Sequence, residues 1–363
     1  MSTTRLAQEA KPRKVLIYRL GSLGDTVVAL PCFHLIARAF PDAERVLLTN
    51  IPVHAKAPAA AAVLDGSGLV HGYMRYTVGT RQVGELLGLA LRIRRFRPDA
   101  LVYLAAPRGE AAVKRDARFF RLCGVRRIVG LPEGELAENR FDAAGDLWES
   151  EAARLLRCVH PLGDADLLDP GNWDLRLSDA ELAKASETLA PLGNRPIVGC
   201  GPGTKMQAKD WGQEKWRELL ERLSPKLPRH GLAMIGARED SAACEYAAAG
   251  WKGPVVNLCG KLSPRESAAA VRRAELFLGT DSGPMHLAAA YGVPCAIPFA
   301  SLDRRGRWFP VGKGHRPLYR KVECSHCGLE VCIEKKKLCI DSISVEEMMQ
   351  AAMDAIGSKA VCE

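Results

Sequence analysis

GTDSGPMHLAAAYGVP, residues 279–294, passes from a buried run through a tight polar turn into a helix of small residues, closed by Gly292 and Pro294. Apolar runs Glu275–Gly279 and Pro294–Phe299 flank it, so the stretch reads strand, helix, strand. These runs are rich in Leu, Phe, Ile and Ala and barely alternate, as strands of a parallel sheet covered on both faces do. Outward from here the same unit recurs, with runs at Pro196–Cys200, Leu232–Gly236 and Val255–Cys259. Helical patterns lie between them at Gln213–Leu223, Ser241–Ala249 and Arg265–Ala274. A first series precedes it, with runs at Val15–Leu20, Arg45–Asn50, Ala100–Ala105 and Arg126–Leu131 and helical patterns at Thr26–Phe40 and Val83–Phe96. The Gly-, Pro- and Asp-dense stretch HPLGDADLLDPGNWD (160–174) separates the two as a linker. Ser178 with Glu181, and Ser344 with Glu347, have the spacing of capping boxes that open helices.

The expected fold class is therefore α/β, with two doubly wound parallel sheets in tandem. The expected domains are 1–170, 171–343 and a terminal helix, 344–363, with the N-terminal domain as its candidate docking partner. A chain of 363 residues is long enough for two cores. Its 47% hydrophobic and 26% charged residues are ordinary for a globular protein. No run of about 18 apolar residues is present, and the polar start MSTTRLAQEAKPRK lacks a signal-peptide core. A cytoplasmic location is expected. The net charge of +9 points to an anionic partner without choosing among nucleic acid, membrane surface and phosphorylated ligand.

In open α/β sheets ligands bind beyond the carboxyl ends of the strands, and four loops there are unusual. In YRLGSLGDTVVALP (18–31), Asp25 stands at a helix start, either as an N-cap or as a general base at a cleft edge. The Gly-x-x-Gly spacing of that loop is not a dinucleotide fingerprint. In GCGPGTKMQAKDW (199–211), backbone amides, Thr204, Lys205 and Lys209 suit phosphate oxygens, although a glycine-rich surface turn with solvated lysines has the same composition. In IGAREDS (235–241), Glu239 or Asp240 can accept ribose hydroxyls or simply start a helix. The fourth is the opening stretch. Free amides at a helix N-terminus suit a diphosphate, and Gly283 permits close approach. Asp281 repels phosphate and suits a hydroxyl-rich sugar. Ser282 shares the turn, and His286 follows one helical turn later, placed to bond a phosphate or support Asp281.

With these residues in view, the chain resembles glycosyltransferase family 9, the ADP-heptose:lipopolysaccharide heptosyltransferases, over nearly its whole length. The resemblance rests on Arg19–Asp25, Pro202–Trp211, Gly236–Asp240 and, most specifically, Asp281–His286. It implies the GT-B fold, with an acceptor-binding first domain and a nucleotide-sugar-binding second domain. It also implies inverting transfer of heptose from ADP-heptose to a lipopolysaccharide inner-core acceptor, without cofactor or catalytic metal. By position, Asp25 is then the base, Thr204, Lys205 and Lys209 face the diphosphate, and Glu239 faces the ribose or adenosine. Leu262, in GKLS (260–263), packs near the adenine, and Asp281, Ser282, Gly283 and His286 form the sugar–diphosphate turn. Lys205 departs from the family pattern, which often has a small or hydroxyl residue after the Thr.

The resemblance further implies an anionic lipid-linked acceptor at the inner membrane face. The arginine-rich stretches LRIRRFRPD (91–99) and KRDARFFRLCGVRRI (114–128) then suggest peripheral attachment to the cytoplasmic face of that membrane. Of twelve cysteines, eight are scattered as buried thiols. Cys324, Cys327, Cys332 and Cys339 cluster as C-x2-C-x4-C-x6-C, which is either a tightly turned packed segment or a structural zinc site. Other readings are a family 9 transferase with another nucleotide sugar or acceptor, a zinc-bearing nucleic-acid-binding protein, and a nicotinamide oxidoreductase. Aromatic residues at only 6%, not interleaved with the basic runs, argue against nucleic acid. The missing fingerprint argues against the oxidoreductase.

Overall fold

A computed structural model describes residues 12–50, 60–77, 79–80, 82–106 and 108–359; residues 1–11 of the polar start and Cys362 lie outside them. The first strand, β1 (Lys14–Tyr18, KVLIY), shows why these segments are strands. Val15 and Ile17 enter one apolar cluster, and Leu16 and Tyr18 another on the opposite face. A two-residue period with both faces buried leaves no polar side, as parallel sheets require.

The first domain continues with α1 (Leu23–Val28), α2 (Leu30–Ala39), β2 (Glu44–Asn50), α3 (Ala61–Leu64), β3 (Gly72–Tyr76), α4 (Val83–Phe96), β4 (Ala100–Tyr103), α5 (Glu110–Leu122) and β5 (Arg127–Val129). A short hairpin, β6 (Phe141–Asp142) and β7 (Leu147–Trp148), precedes α6 (Glu151–Val159). The second domain runs α7 (Asp179–Leu189), β8 (Ile197–Gly201), α8 (Gln213–Leu223), β9 (Gly231–Met234), α9 (Ser241–Ala248), β10 (Val255–Asn257), α10 (Pro264–Val271) and β11 (Ala274–Gly279). It ends with α11 (Gly283–Ala290), β12 (Cys295–Phe299), β13 (Arg316–Tyr319), α12 (Leu338–Asp341) and α13 (Val345–Lys359).

Both large sheets are parallel, in the orders β3-β2-β1-β4-β5 and β10-β9-β8-β11-β12-β13. The strand order reverses between β1 and β4 and between β8 and β11. Those switch points aim the loops after β1, β8 and β11 at one cleft. The expected α/β architecture, two Rossmann-like sheets in tandem, is present.

Two expectations are corrected. The helix expected over Thr26–Phe40 is two helices, α1 and α2, meeting at Ala29 just ahead of Pro31, which cannot donate a helical hydrogen bond. Among the described residues, the terminal helix packs on the second domain rather than the first. The α13 residues Met348, Ala351, Ala352 and Ala355 form a stripe that packs with Trp211 and Trp216 of the second domain, and Trp211 Nε1 donates to the Ile343 carbonyl at 2.9 Å. The linker 160–174 lies against the first domain: Trp173 is buried in its core, and Arg38 donates to Asn172 Oδ1 at 2.8 Å.

The domains share core. Ala268, Leu287 and Ala290 of the second domain enter the cluster built on β1 and α2. Arg265 reaches the carbonyls of Val63, Leu175 and Arg176. No described helix is long and apolar enough to cross a membrane.

Candidate functional site

The loop after β1 is held from several sides. Gly21 has φ +134°, and a Cβ there would lie 2.4 Å from the Asp25 carboxyl carbon, so only glycine fits beneath that side chain. Its N–H donates to Asn50 Oδ1 at 2.9 Å. Ser22, not Asp25, is the N-cap of α1. Asp25 sits three positions on, and its Oδ2 accepts from the Ser22 N–H at 2.8 Å and the Ser22 hydroxyl at 2.9 Å. Its Oδ1 lies 3.6 Å from the guanidinium of Arg19. Arg19 is buried and donates to the Asp25 carbonyl at 2.6 Å and the Leu104 carbonyl at 2.6 Å, which pins the loop to the ends of β1 and β4.

Across the domain boundary α1 meets the N-terminus of α11. The space over Gly283, expected to receive a ligand, is filled by Leu23: a Cβ at 283 would lie 2.5 Å from Leu23 Cδ2. Reciprocally, a Cβ on Gly24 would lie 2.9 Å from His286 Cδ2. The two glycines thus let one domain's helix seat against the other's. Gly24→Ala is expected to cost about 1–3 kcal/mol, the usual range for overpacking, because the new methyl would push on the buried His286 ring. Urea unfolding measures this, and a variant as stable as the parent would show that the interface yields.

The loops of the second domain converge on the same place. Lys209 Nζ contacts Asp281 Oδ2 at 2.6 Å, and both side chains are mostly buried. Asp281 Oδ1 lies 4.0 Å from His286 Nε2. Burial lowers the pKa of His286; Lys209 adds to that, while Asp281 and Asp25 oppose it. The ring is therefore neutral near pH 7. Thr204 Oγ1 receives the Met206 N–H at 3.2 Å and so closes its own turn. Thr280 Oγ1 donates to the Gly203 carbonyl at 2.8 Å, joining the loops after β8 and β11.

In the loop after β9, Asp240 rather than Glu239 builds the turn, accepting the Ala237 N–H at 2.8 Å. Glu239 is exposed. The Gly260 N–H donates to the Gly236 carbonyl at 3.0 Å, so the turn that carries Leu262 lies beside the turn that carries Glu239.

A cavity of about 350 Å³ crosses the domain boundary. Ser22, Gly24 and Asp25 line it from the first domain, and Lys209, Asp281, Ser282, Gly283 and His286 from the second. Thr204, Lys205, Glu239 and Leu262 do not line it; they belong to neighbouring turns. A larger hollow of about 490 Å³, near Leu156–Ala165, contains none of these residues.

Sequence reading missed most of the other lining residues, among them Met206, Asp303, Arg304, Trp308, Phe309 and Tyr319. The loop after β12 was findable, since it too follows the carboxyl end of a parallel strand and carries an acid, three arginines and two aromatic residues. It also ties the domains together. The Trp148 N–H donates to the Arg305 carbonyl at 2.8 Å, and the Glu151 N–H to the Arg307 carbonyl at 2.9 Å.

The four clustered cysteines do not converge. Cys332 and Cys339 are buried in the second-domain core, Cys324 is half-buried and Cys327 is exposed. Among the described residues no three His, Cys, Asp or Glu side chains are grouped to hold a metal ion.

The family model for glycosyltransferase family 9 (heptosyltransferase) matches residues 153–338. Lipopolysaccharide heptosyltransferase 3 of Escherichia coli (strain K12) is 24% identical, over 77% of this chain and 80% of its own. A solved glycosyl transferase family 9 structure from Veillonella parvula DSM 2008 matches with a TM-score of 0.68 at 16% identity, over 97% of this chain and 99% of that one. The ADP-heptose lps heptosyltransferase II of E. coli matches with a TM-score of 0.63, also at 16% identity, over 96% and 99%. The fold is accordingly GT-B: two Rossmann-like domains facing a central cleft.

Proposed function

From the premise that this chain belongs to glycosyltransferase family 9, we propose that it transfers a heptose from ADP-heptose to a sugar of a lipopolysaccharide inner core, with inversion. The observation that carries the reading is the shared cavity, in which Asp25 of one domain faces Lys209, Asp281 and His286 of the other. Asp25 Oδ2 is occupied by Ser22, so Oδ1 takes the proton of the acceptor hydroxyl. The acceptor oxygen bonds to the anomeric carbon while the bond from that carbon to the phosphate oxygen breaks, and ADP leaves.

Lys209 and the amides that open α11 meet the charge growing on the leaving diphosphate. Lys209 is held beforehand by Asp281, so it needs little reorganisation. Asp281 accepts sugar hydroxyls, and neutral His286 packs behind it. The exposed Glu239 and the adjoining Leu262 turn receive the nucleoside, with Thr204 and Lys205 on the phosphate side. No cofactor takes part in this reading, and the acceptor is an anionic lipid-linked sugar.

The test is a thermal-shift series with ADP, UDP, GDP and single-stranded DNA. A ligand at about 100 times its Kd adds roughly 2.7 kcal/mol. Selective stabilisation by ADP is expected. Preference for UDP or GDP would keep the reaction class and replace the donor, and a response to DNA alone would overturn the reading. Lys209→Met is expected to weaken ADP binding by about 30- to 100-fold. That is the lower part of the range for truncating a desolvated charge pair, because Lys209 keeps one-fifth of its side chain exposed. Titration calorimetry with ADP reads this, and unchanged affinity would remove Lys209 from the diphosphate site.

A further inference from the structure

The loop after β12 puts one aromatic residue against the polar group of the cavity. Trp308 lines the cavity and is half-buried. Its indole Nε1 donates to Asp303 Oδ2 at 2.8 Å, and the same oxygen accepts from Arg307 Nη1 at 2.9 Å. Asp303 is fixed in turn: its Oδ1 accepts the Arg304 N–H at 2.7 Å, and its carbonyl accepts the Tyr319 hydroxyl at 3.2 Å. The Trp308 ring meets the His286 ring edge to face, with centroids 6.4 Å apart. The other rings of this wall pack on one another, Phe309 lying 4.6 Å from Phe299 and 6.1 Å from Tyr319.

The loop is also braced from the first domain. Arg304 Nη1 donates to Glu138 Oε2 at 2.6 Å, and Arg307 Nε lies 3.4 Å from Glu151 Oε2. Trp308 itself packs against the apolar clusters of both domains. The indole is thus held in place before any ligand arrives, and a group fixed beforehand loses little freedom on binding. Leaving half an indole in water forgoes the gain of burying it. A ligand that covers the ring recovers that gain.

We infer that Trp308 is the surface on which the pyranose ring of the nucleotide-sugar donor seats, and that Asp303 is the positioning residue that holds the indole for it. The inference rests on the transfer reading above. A pyranose carries hydroxyls around its rim and C–H bonds on its faces. Lys209, Asp281 and Asp25 serve the rim; the faces need an apolar partner, and an indole supplies a flat one. The donor sugar is favoured over the acceptor because Trp308 belongs to the second domain, beside His286 and Asp281, whereas Asp25 serves the acceptor from the first. It is favoured over the nucleoside because Glu239 and Leu262 do not line this cavity. The seat therefore grips the donor and makes no contact with the nucleoside diphosphate that remains after transfer.

Titration calorimetry of the full chain with ADP and with ADP-heptose, without acceptor, separates the sugar contact from the nucleotide contact. Trp308→Ala is expected to lower ADP-heptose affinity about tenfold, as for one lost aromatic contact, while ADP affinity stays within about twofold of the parent. Trp308→Phe keeps a ring and should lose about threefold or less. Asp303→Ala, which frees the indole, should lower ADP-heptose affinity about three- to tenfold in the parent. It should have no further effect in the Trp308→Phe background, where no N–H remains to be held. A merely structural Asp303 would lower affinity by the same factor in both backgrounds, and that result removes its positioning role. Unchanged ADP-heptose affinity in Trp308→Ala overturns the seat and leaves the proposed donor standing. An equal fall for ADP and ADP-heptose overturns it too, since the ring would then serve the nucleotide or the fold. No ADP-heptose binding by the parent chain removes the proposed donor and the seat together.

Discussion

Asp25→Asn is expected to lower kcat by about 10²- to 10⁴-fold, the usual share of a positioned general base, while ADP binding changes little. The amide is isosteric, and its oxygen can still accept both Ser22 donors that hold Oδ2. What it loses is the basic oxygen near Arg19. The carboxylate also closes the capping box of α1, a structural role worth about 1 kcal/mol. That role predicts a small stability change and no large turnover defect, so parallel urea unfolding and steady-state transfer assays separate the two. Near-parent turnover in Asp25→Asn would remove Asp25 from the chemistry and leave it as a capping residue.

The second large effect concerns stability. Glu151→Gln is expected to destabilise the protein by about 3–5 kcal/mol, the usual cost of removing one partner of a buried ion pair. Glu151 and Arg154 are both fully buried, with Arg154 Nη2 2.6 Å from Glu151 Oε1. Arg307 of the second domain approaches the same carboxylate at 3.4 Å, and buried Arg19 adds its charge nearby. The variant leaves these cations without their shared counter-charge and loosens a contact between domains.

The pH dependence follows from the direction of the shift. Burial pushes the Glu151 carboxyl upward, but the Arg154 hydrogen bond and the charges of Arg154, Arg307 and Arg19 outweigh it and hold the pKa below the ordinary value. A depressed folded-state pKa stabilises above the unfolded value, near 4.3 for Glu, and that stabilisation is lost as pH falls through the folded value. The gap between parent and variant should therefore be full at pH 7 and shrink below about pH 4. Denaturant midpoints across that range provide the check; equal stabilities at pH 7 would show that water or neighbouring groups neutralise the arginines.

The interior strands were legible in the sequence because burial on both faces writes a continuous apolar run, as in KVLIY and AELFLG. Two of the four edge strands, β3 (GYMRY) and β13 (RPLY), carry no such run, because their residues are mostly half-buried and include Arg, Gly or Pro; the other two, β5 and β10, lie within apolar runs. Loops after parallel strands are local features as well, so Asp25, Lys209, Asp281 and His286 could be singled out from their own neighbourhoods.

Tertiary structure alone decided which of those loops face one another. It brought Asp25 to the Lys209–Asp281–His286 group, added the loop after β12, and left Glu239 and Leu262 in adjoining turns. It turned Gly24 and Gly283 into a helix contact between domains, seated α13 on Trp211 and Trp216, and dispersed the four-cysteine cluster between core and surface. Hydrophobic period, capping and turn chemistry act over a few residues and are written in order along the chain. A cavity between domains depends on shape and charge fitting across segments far apart in sequence, and that fit exists only once both sheets have folded and packed.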